Sequence, residues 1–412
     1  MKSNSDIVIG EAREILDHLF SFRTEHEKIP ILSAIDRVAA SRVDATHDSP
    51  PYPRSAMDGY AVRSTDISRV DGGGRVTLEL QGEIVIGTAP RRYSGTGICV
   101  RIPTGGSIPD PFDTVVPVEY ASEQEGRVEI LKSFPRGSNI DQRGTYHSKG
   151  STILEKGKII SSGDVAVLSS EGLMEVEVVK RLSVGVLATG NELVPIGDSG
   201  NEESTYNSNT QGIRTMLEET GNFQVTDYGI ARDEPELLKE TIKKIASENM
   251  IVITTGGTSA GRHDYVPEAI SQAIGRKAAF HGIRMKPGAP SLFSTDGTHF
   301  AIGLPGTPVS SYLVMRELFL PVIMEKIGAK NASISWVVEL AKDARISRGK
   351  FNIVPVRINW EEDHPRAYPV QGSSSSLIRI SASNGYFTSD GDTASIPEGS
   401  RIRVKPLRWV SF

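Results

Sequence analysis

Five short segments of this 412-residue chain carry residue types whose spacing could do chemistry. In residues 251–265, IVITTGGTSAGRHDY, a run that reads as a buried strand empties into Gly256, Gly257, Thr258, Ser259 and Gly261. Asp264 follows, just before a helical run. Such a junction exposes several backbone N–H groups at one point, which suits an anionic ligand, with Asp264 placed to hold a metal. An ordinary strand-to-helix turn has the same composition, and both readings stay open. In residues 54–61, RSAMDGYA, small residues flank Asp58, which could hold Mg²⁺ through oxygen. An Asp-Gly turn accounts for the same residues. In residues 188–193, ATGNEL, Thr189, Gly190 and Asn191 can hydrogen-bond a polar ring and Glu192 can hold a cation or a water; a polar loop with a solvated Glu is the alternative. In residues 285–290, MKPGAP, Lys286 could be a point-charge partner for an oxyanion or a solvated lysine. In residues 304–310, LPGTPVS, Gly306 and Thr307 would present a helix N-terminus to an anion, or would simply form a rigid connection.

Two other chemistries are disfavoured. Residues 257–261 read G-T-S-A-G and match the nucleophile-elbow pattern, but Ser259 lies inside a long loop and no His or acid pattern completes a triad. Dinucleotide and Walker A glycine signatures are absent. The net charge of −5 gives no nucleic-acid footprint. The single Cys99 excludes an internal disulfide framework and a Cys-rich zinc site. No apolar run approaches the roughly 20 residues that cross a bilayer. The first residues lack a signal-peptide apolar segment and carry early acids, so the expectation is a soluble cytoplasmic chain that binds neither nucleic acid nor membrane.

The elements that must position these residues follow from periodicity. Residues 7–40 read as helix, with Ile15, Leu16, Leu19 and Phe20 on one face and Ile31, Leu32, Ile35 and Val38 repeating the spacing after Pro30. Prolines break residues 46–64. From 74 to 135, VTLEL, GEIVIG, GICVRIP, DTVVPVEY and RVEILKSF read as short strands of a β-rich module. Residues 136–180 carry few signals apart from a short helix over 162–170. Residues 181–327 alternate strand and helix, including a helix over 234–247 with Asp233 as its cap and Leu238, Ile242, Ile245 and Ala246 as its apolar face. That alternation predicts a doubly wound α/β domain with a mainly parallel sheet. Ligands of such sheets bind beyond the carboxyl ends of the strands, here the loops 189–192, 231–234, 256–264 and 304–307. Residues 329–412 turn β-rich again, with ISWVVEL, FNIVPVRINW, SLIRISAS and RIRVKPL as strands and HPRAYP as a loop of a small barrel or sandwich.

Together these segments resemble the MoeA family of molybdopterin molybdenumtransferases, which includes the gephyrin E domain. The resemblance rests on SPPYPRSAMDGYAVR, RIPTGGSIPDPFDTVVPVE, ATGNELV, the SNT before a helix, YGIARDEPELL, TTGGTSAGRHDYV, MKPGAP, GLPGTPVSSYL and GSSSSLIRISASNGY, in the family's order over nearly the whole chain. It implies a multidomain α/β fold of four parts. These are an elongated segment (7–45 with 140–179), an inserted β-rich module (46–139), a molybdopterin-binding α/β domain (180–328) and a C-terminal β barrel (329–412). It implies a homodimer with an active site between the α/β domain of one subunit and the module of the other. The implied reaction inserts molybdate into molybdopterin adenylate with release of AMP, assisted by Mg²⁺. A MogA-type adenylyltransferase and apo-molybdoenzymes are the implied partners. By resemblance Asp58, Glu192, Asp264 and Lys286 are catalytic, the three acids also holding metal. Ser55, Thr104, Thr189, Gly190, Gly256, Gly257, Thr258, Ser259, Gly261, Pro305, Gly306 and Thr307 contact substrate.

The chain departs from the family pattern at four places. Tyr146 stands in RGTYH where the family has an acid, Ala289 replaces the second lysine of KPGKP, Asn191 replaces the Asp of TGDEL, and Thr307 replaces the Asn of PGNP. Loss of one acid and one cation bears on turnover more than on binding, with His147 or Arg262 as candidate compensators. Two alternatives therefore stand beside the transferase: a paralogue that binds molybdopterin without turnover, as carrier or sensor, and a molybdopterin adenylyltransferase.

Overall fold

The computed structural model describes residues 6–408 apart from 22, 71–73, 90, 260, 262–263, 331–333 and 362–363. The chain divides into two units, residues 1–41 with 155–412, and residues 42–154.

The larger unit is built on a six-stranded sheet in the order Phe223–Ala231, Leu182–Thr189, Ile251–Thr255, Phe300–Leu304, Leu292–Thr295, Phe280–His281. The first four strands are parallel, and Leu292–Thr295 runs antiparallel to both its neighbours, Phe300–Leu304 and Phe280–His281. Strand Ile251–Thr255 is buried along its whole length, as a central parallel strand covered on both faces must be. Its alternate residues go to opposite layers. Ile251 and Ile253 pack with Ile213, Met216 and Leu217 of helix Asn209–Glu218 and with Leu313 and Val314 of helix Pro308–Val314. Val252 packs with Leu238, Ile242 and Ile245 of helix Pro235–Glu248 and with Val266 and Ile270 of helix Val266–Ile274. Helices on both faces of a mainly parallel sheet are the doubly wound arrangement that the alternation predicts. In register, Thr189 lies opposite Ala231, and Thr255 opposite Leu304. The four parallel strands therefore end at one level, and their loops leave the sheet together.

Five strands of the same unit close a ring. Phe351–Glu361 pairs with both His364–Pro369 and Gly385–Ser389, Gly385–Ser389 with Arg401–Pro406, Arg401–Pro406 with Trp336–Leu340, and Trp336–Leu340 with His364–Pro369. Val338, Leu340, Val356, Ala367, Phe387, Ile402 and Val404 form the core of this barrel. Strand Met285–Lys286 adds to its side, with Lys286 opposite Asn352.

The unit of residues 42–154 holds an open six-stranded sheet in the order Thr114–Pro117, Gly59–Val62, Ile98–Ile102, Val76–Glu83, Arg127–Ile130, Ala121–Gln124. Apolar clusters cover its two faces, one around Tyr60, Leu78 and Cys99 and one around Ile98, Val100 and Val115.

Several expected elements differ. Helix Ile9–Leu19 ends well before residue 40; His26–Pro30 is a strand paired with Glu175–Val179, and Ile31–Ser33 is a single 3₁₀ turn. Leu32 is 78% exposed there, so the apolar spacing after Pro30 does not mark a buried helix face. Residues 84–87 are not strand, and Val85 and Ile86 are exposed. SLIRISAS is not a strand but contains the one-turn helix Ile378–Ser381, whereas HPRAYP is no loop but the strand that helps close the barrel. Asp233 does not cap its helix. Pro235 occupies the first helical position, which moves the cap to Glu234, and no side-chain cap bond forms.

Candidate active site

The loops at the strand ends of the larger unit meet around a cavity of about 230 Å³. Thr189, Gly190 and Glu192 come from the first loop, Asp233 from the second, Gly256, Gly257 and Asp264 from the third, and Gly306 from the fourth. Asn209, at the start of its helix, completes the wall and donates its amide to Gly306 O at 2.7 Å. The glycines are required by the packing. Gly256 has φ +96°, and a Cβ there would lie 2.5 Å from Thr189 O. Gly257 has φ +61°, with a Cβ position 2.9 Å from Thr189 Oγ1. Bonds from Gly256 N to Leu304 O and from Gly190 N to Ala231 O hold the loop bases together.

Among the described residues, three carboxylates (Glu192, Asp233 and Asp264) and no Lys or Arg line this cavity. Three buried acceptor-capable atoms, Asn209 Oδ1, Thr189 Oγ1 and Thr255 Oγ1, have no hydrogen-bond partner in the protein. Buried polar atoms are normally satisfied, so this set fits a polar ligand: the Asn209 oxygen accepts, and the two threonine hydroxyls can accept or donate. A bare oxyanion would meet three like charges. The described lining suits a polar ring or a metal-bridged oxyanion better than a bare one.

The remaining expected residues of these loops take other places. Thr258 is buried and anchors the loop, its carbonyl accepting from His281 Nε2 at 2.7 Å. Ser259 and Gly261 are exposed, and Gly261 N donates to Asp264 Oδ2 at 3.1 Å. Pro305 is buried in the connector. Thr307 precedes helix Pro308–Val314 and gives its hydroxyl to Ser310 Oγ at 2.6 Å. Arg262 lies outside the described residues.

Lys286 is not in this cavity. It lines a second one of about 720 Å³ in the same unit, between the MKPGAP hairpin and the barrel. Arg345, Lys350 and Arg379 join Lys286 there, with Ser310, Ser347, Ser373 and Ser374, and no Asp or Glu is among the described lining residues. Arg379 is fixed by bonds from Nε to Val370 O and from Nη1 to Ser373 O. Burial lowers its pKa. Four cations with hydroxyls, and no acid among the described lining residues, suit an oxyanion. The segment 304–310 joins the two cavities, since Gly306 faces the first and Ser310 the second. The sequence offered Lys286 alone; Arg345 and Lys350 lie some sixty residues after it and Arg379 further on, with no shared motif.

In the unit of residues 42–154, Asp58 is exposed and its Oδ1 accepts from Thr104 N at 2.7 Å and Thr104 Oγ1 at 2.9 Å. The Thr104 N–H and then its hydroxyl hold the Asp58 carboxyl below the usual aspartate range. Ser55 is buried, and its hydroxyl donates to Met57 O at 2.5 Å, so it shapes the turn. Tyr146 donates to the Asp141 carboxylate, accepts from Arg54 Nη2 at 3.2 Å, and lies 5.2 Å under the Arg54 guanidinium.

Mg²⁺ ordinarily takes one or two carboxylates and completes its shell with water and substrate oxygens. Glu192 and Asp264, which line one cavity, fit that demand. Asp58 belongs to the other unit. Among the described residues no group of three or more His, Cys, Asp or Glu could hold a metal by itself. Among them, too, no helix is long and apolar enough to cross a membrane.

Comparison with known proteins gives a consistent result. Residues 7–172 match the MoeA N-terminal region (domain I and II), 185–325 a probable molybdopterin binding domain, and 337–407 the MoeA C-terminal region (domain IV). A molybdopterin molybdenumtransferase of Staphylococcus aureus is 32% identical over 301 residues, 73% of this chain and 71% of that one. One from Staphylococcus epidermidis is 33% identical over 297 residues, 72% of this chain and 70% of that one. A crystal structure of the molybdopterin biosynthesis MoeA protein from Pyrococcus horikoshii superposes with a TM-score of 0.80 at 26% identity, over 98% of this chain and 100% of that one.

Proposed function

The chain belongs to the MoeA family of molybdenum cofactor biosynthesis enzymes, and from that premise we propose how its own residues divide the transferase reaction. The substrates are molybdopterin adenylate and molybdate, and the phosphoanhydride is cleaved with loss of AMP as molybdate enters the dithiolene. The observation that carries the proposal is the opposite charge of the described residues lining the two adjoining cavities. A pterin carries both N–H donors and ring acceptors and suits the cavity of Glu192, Asp233 and Asp264, whose unpartnered polar atoms at Thr189, Asn209 and Thr255 it would satisfy. Molybdate and phosphate suit the cavity of Lys286, Arg345, Lys350 and Arg379. Glu192 and Asp264 would hold Mg²⁺, which when bound supplies positive charge to the phosphoanhydride oxygens.

The residues act mainly by placement and electrostatics. Gly256 and Gly257 let the backbone approach the ligand, and Thr258 and Pro305 fix the loops beneath it. Thr189, Gly190 and Gly306 contact the pterin, while Ser259, Gly261 and Thr307 face the substrate from the loop rims. Asp58, kept ionised by Thr104 and set in its turn by Ser55, serves as the acid contributed by the 42–154 unit. Tyr146 ties Arg54 to Asp141 in that unit, so the departure there replaces a charge with a neutral brace. We further propose a four-part division of the chain as the family pattern implies, a homodimer, and a cytoplasmic setting in which an adenylyltransferase supplies the substrate and apo-molybdoenzymes take the product.

AMP release from molybdopterin adenylate by the purified chain, with Mg²⁺ and molybdate, tests the reading. We expect molybdate-dependent release that Asp58→Ala and Asp264→Asn lack. Tight adenylate binding with no AMP would instead identify a carrier, and formation of adenylate from ATP an adenylyltransferase.

A further inference from the structure

One side chain joins the two cavities mechanically. His281 ends the short edge strand Phe280–His281, which pairs with Leu292–Thr295. The strand is rigidly seated, because the Phe280 ring packs 6.0 Å from Phe293 and 6.4 Å from Phe319, centroid to centroid. From this base the half-buried imidazole reaches across to the glycine loop, and its Nε2 lies 2.7 Å from Thr258 O. A carbonyl oxygen only accepts, so Nε2 carries the hydrogen. Thr258 is 2% exposed. Its carbonyl cannot exchange this donor for bulk water, and a buried acceptor without a partner is costly.

The chain leaves His281 in the other direction through a tight hairpin. Gly282 N donates to Ser291 O at 3.0 Å and Ile283 N to Ala289 O at 2.8 Å. Lys286, at the edge of the basic cavity, sits inside that hairpin. His281 therefore touches the loop that carries Gly256, Gly257 and Asp264, and by covalent continuity fixes the hairpin that carries Lys286.

We propose that His281 is a positioning residue that sets the acidic-cavity loop against the basic-cavity hairpin, so that its N–H donor governs turnover more than the affinity for either substrate. The proposal rests on the division of substrates between the two cavities given above. It is tested with His281→Gln, which keeps an N–H donor, and with His281→Phe and His281→Leu, which lack one and differ in volume, so that a folding defect of one leaves the other. Two quantities are measured on the full chain: amide hydrogen exchange in the peptide covering 256–265, and kcat and KM for AMP release.

Loss of one buried hydrogen bond predicts roughly tenfold faster exchange in Phe and Leu variants, with kcat lower by roughly the same factor. Both KM values should stay within about threefold and His281→Gln close to the wild type, since only the donor is at issue. Unchanged exchange and kcat in both apolar variants would overturn the proposal. So would a His281→Gln variant as impaired as they are, because the role would then be one of shape. If the wild type releases no AMP, that failure belongs to the assigned reaction, and the exchange measurement alone decides the role of His281.

Discussion

Replacing Glu317 tests how the barrel is held against the α/β layers. This residue lies in the π-helical turn Met315–Phe319, between helices Pro308–Val314 and Leu320–Lys326, and is 3% exposed. Its Oε1 accepts from Arg13 Nη2 at 2.6 Å and from Lys405 Nζ at 2.8 Å, and its Oε2 accepts from Lys405 Nζ and from the Tyr386 hydroxyl at 2.8 Å. Lys405 and Tyr386 belong to barrel strands and Arg13 to the first helix. Burial, with the Glu317 charge beside it, pushes the Tyr386 pKa well above its ordinary value, so the phenol stays a donor. Glu317→Gln keeps the shape but removes the charge and, in either orientation of the amide, points an N–H₂ group at Lys405.

Breaking a buried ion pair costs about 3–5 kcal/mol. The Arg13 and Lys405 side chains are 43% and 32% exposed and regain part of their hydration. We therefore expect a loss of about 2–3 kcal/mol, between that range and the value for exposed pairs. At roughly 2–4 °C per kcal/mol for a large domain, Tm should fall by roughly 4–12 °C. Calorimetry and urea unfolding of Glu317→Gln, of Lys405→Met and of the double variant measure the coupling. Because the barrel forms one wall of the basic cavity, KM for molybdate should rise while KM for the adenylate holds. A single variant within about 0.5 kcal/mol of the wild type, the range of an ordinary surface substitution, would refute this account of the carboxylate.

Three further outcomes follow from named contacts. Gly256→Ala places a Cβ 2.5 Å from Thr189 O at φ +96°, and should cost about 2 kcal/mol or more and weaken adenylate binding at least tenfold; calorimetric titration checks it. Thr104→Val removes the hydroxyl that, after the Thr104 N–H, holds the Asp58 carboxyl low. A depressed folded pKa gives stability that is present above the unfolded pKa and is lost as pH falls through the folded one, so in the variant the Asp58 midpoint and this loss both move to higher pH. A carbon-13 titration of the carboxyl reads the shift, and an unmoved midpoint would contradict it. Cys99 is fully buried, and burial followed by the charge of Glu123 pushes its thiol up to about 12. It should resist alkylation at pH 8 until the 42–154 unit opens, and rapid labelling of the native protein would count against that packing.

Much of the α/β layer was legible because its signals are local and repeated. Strands such as Ile251–Thr255 are buried on both faces and read as unbroken apolar runs. Helix Pro235–Glu248 buries Leu238, Ile242, Ile245 and Ala246, the face its spacing marked. Elsewhere tertiary pairing overruled the pattern. Ile31 and Val38 are buried, but in a 3₁₀ turn and an isolated bridge to Ile159, with Leu32 left in solvent. SLIRISAS has strand composition, yet Ile378 is 74% exposed on a single helical turn. HPRAYP looks like a loop because of its prolines, but Pro365 and Pro369 sit at the two ends of a strand that pairs with Phe351–Glu361. The glycine-loop cavity could be anticipated from strand-end loops that neighbour one another. The basic cavity could not, because closure of the barrel brings together Arg345, Lys350 and Arg379, which share no motif. His281 was silent for the same reason: its partner is a backbone carbonyl 23 residues away.

The division of labour between the two cavities is tested most directly by the molybdate saturation curve for AMP release by the Lys286→Ala/Arg345→Ala double variant, measured beside Asp264→Asn. If the oxyanion binds the basic cavity, the double variant needs at least roughly tenfold more molybdate and regains most of its rate at saturation, since removed ground-state binding is restored by concentration. Asp264→Asn should then stay slow at every molybdate concentration. A double variant with an unchanged molybdate requirement, or an Asp264→Asn defect cured by molybdate alone, would contradict the assignment of the two substrates.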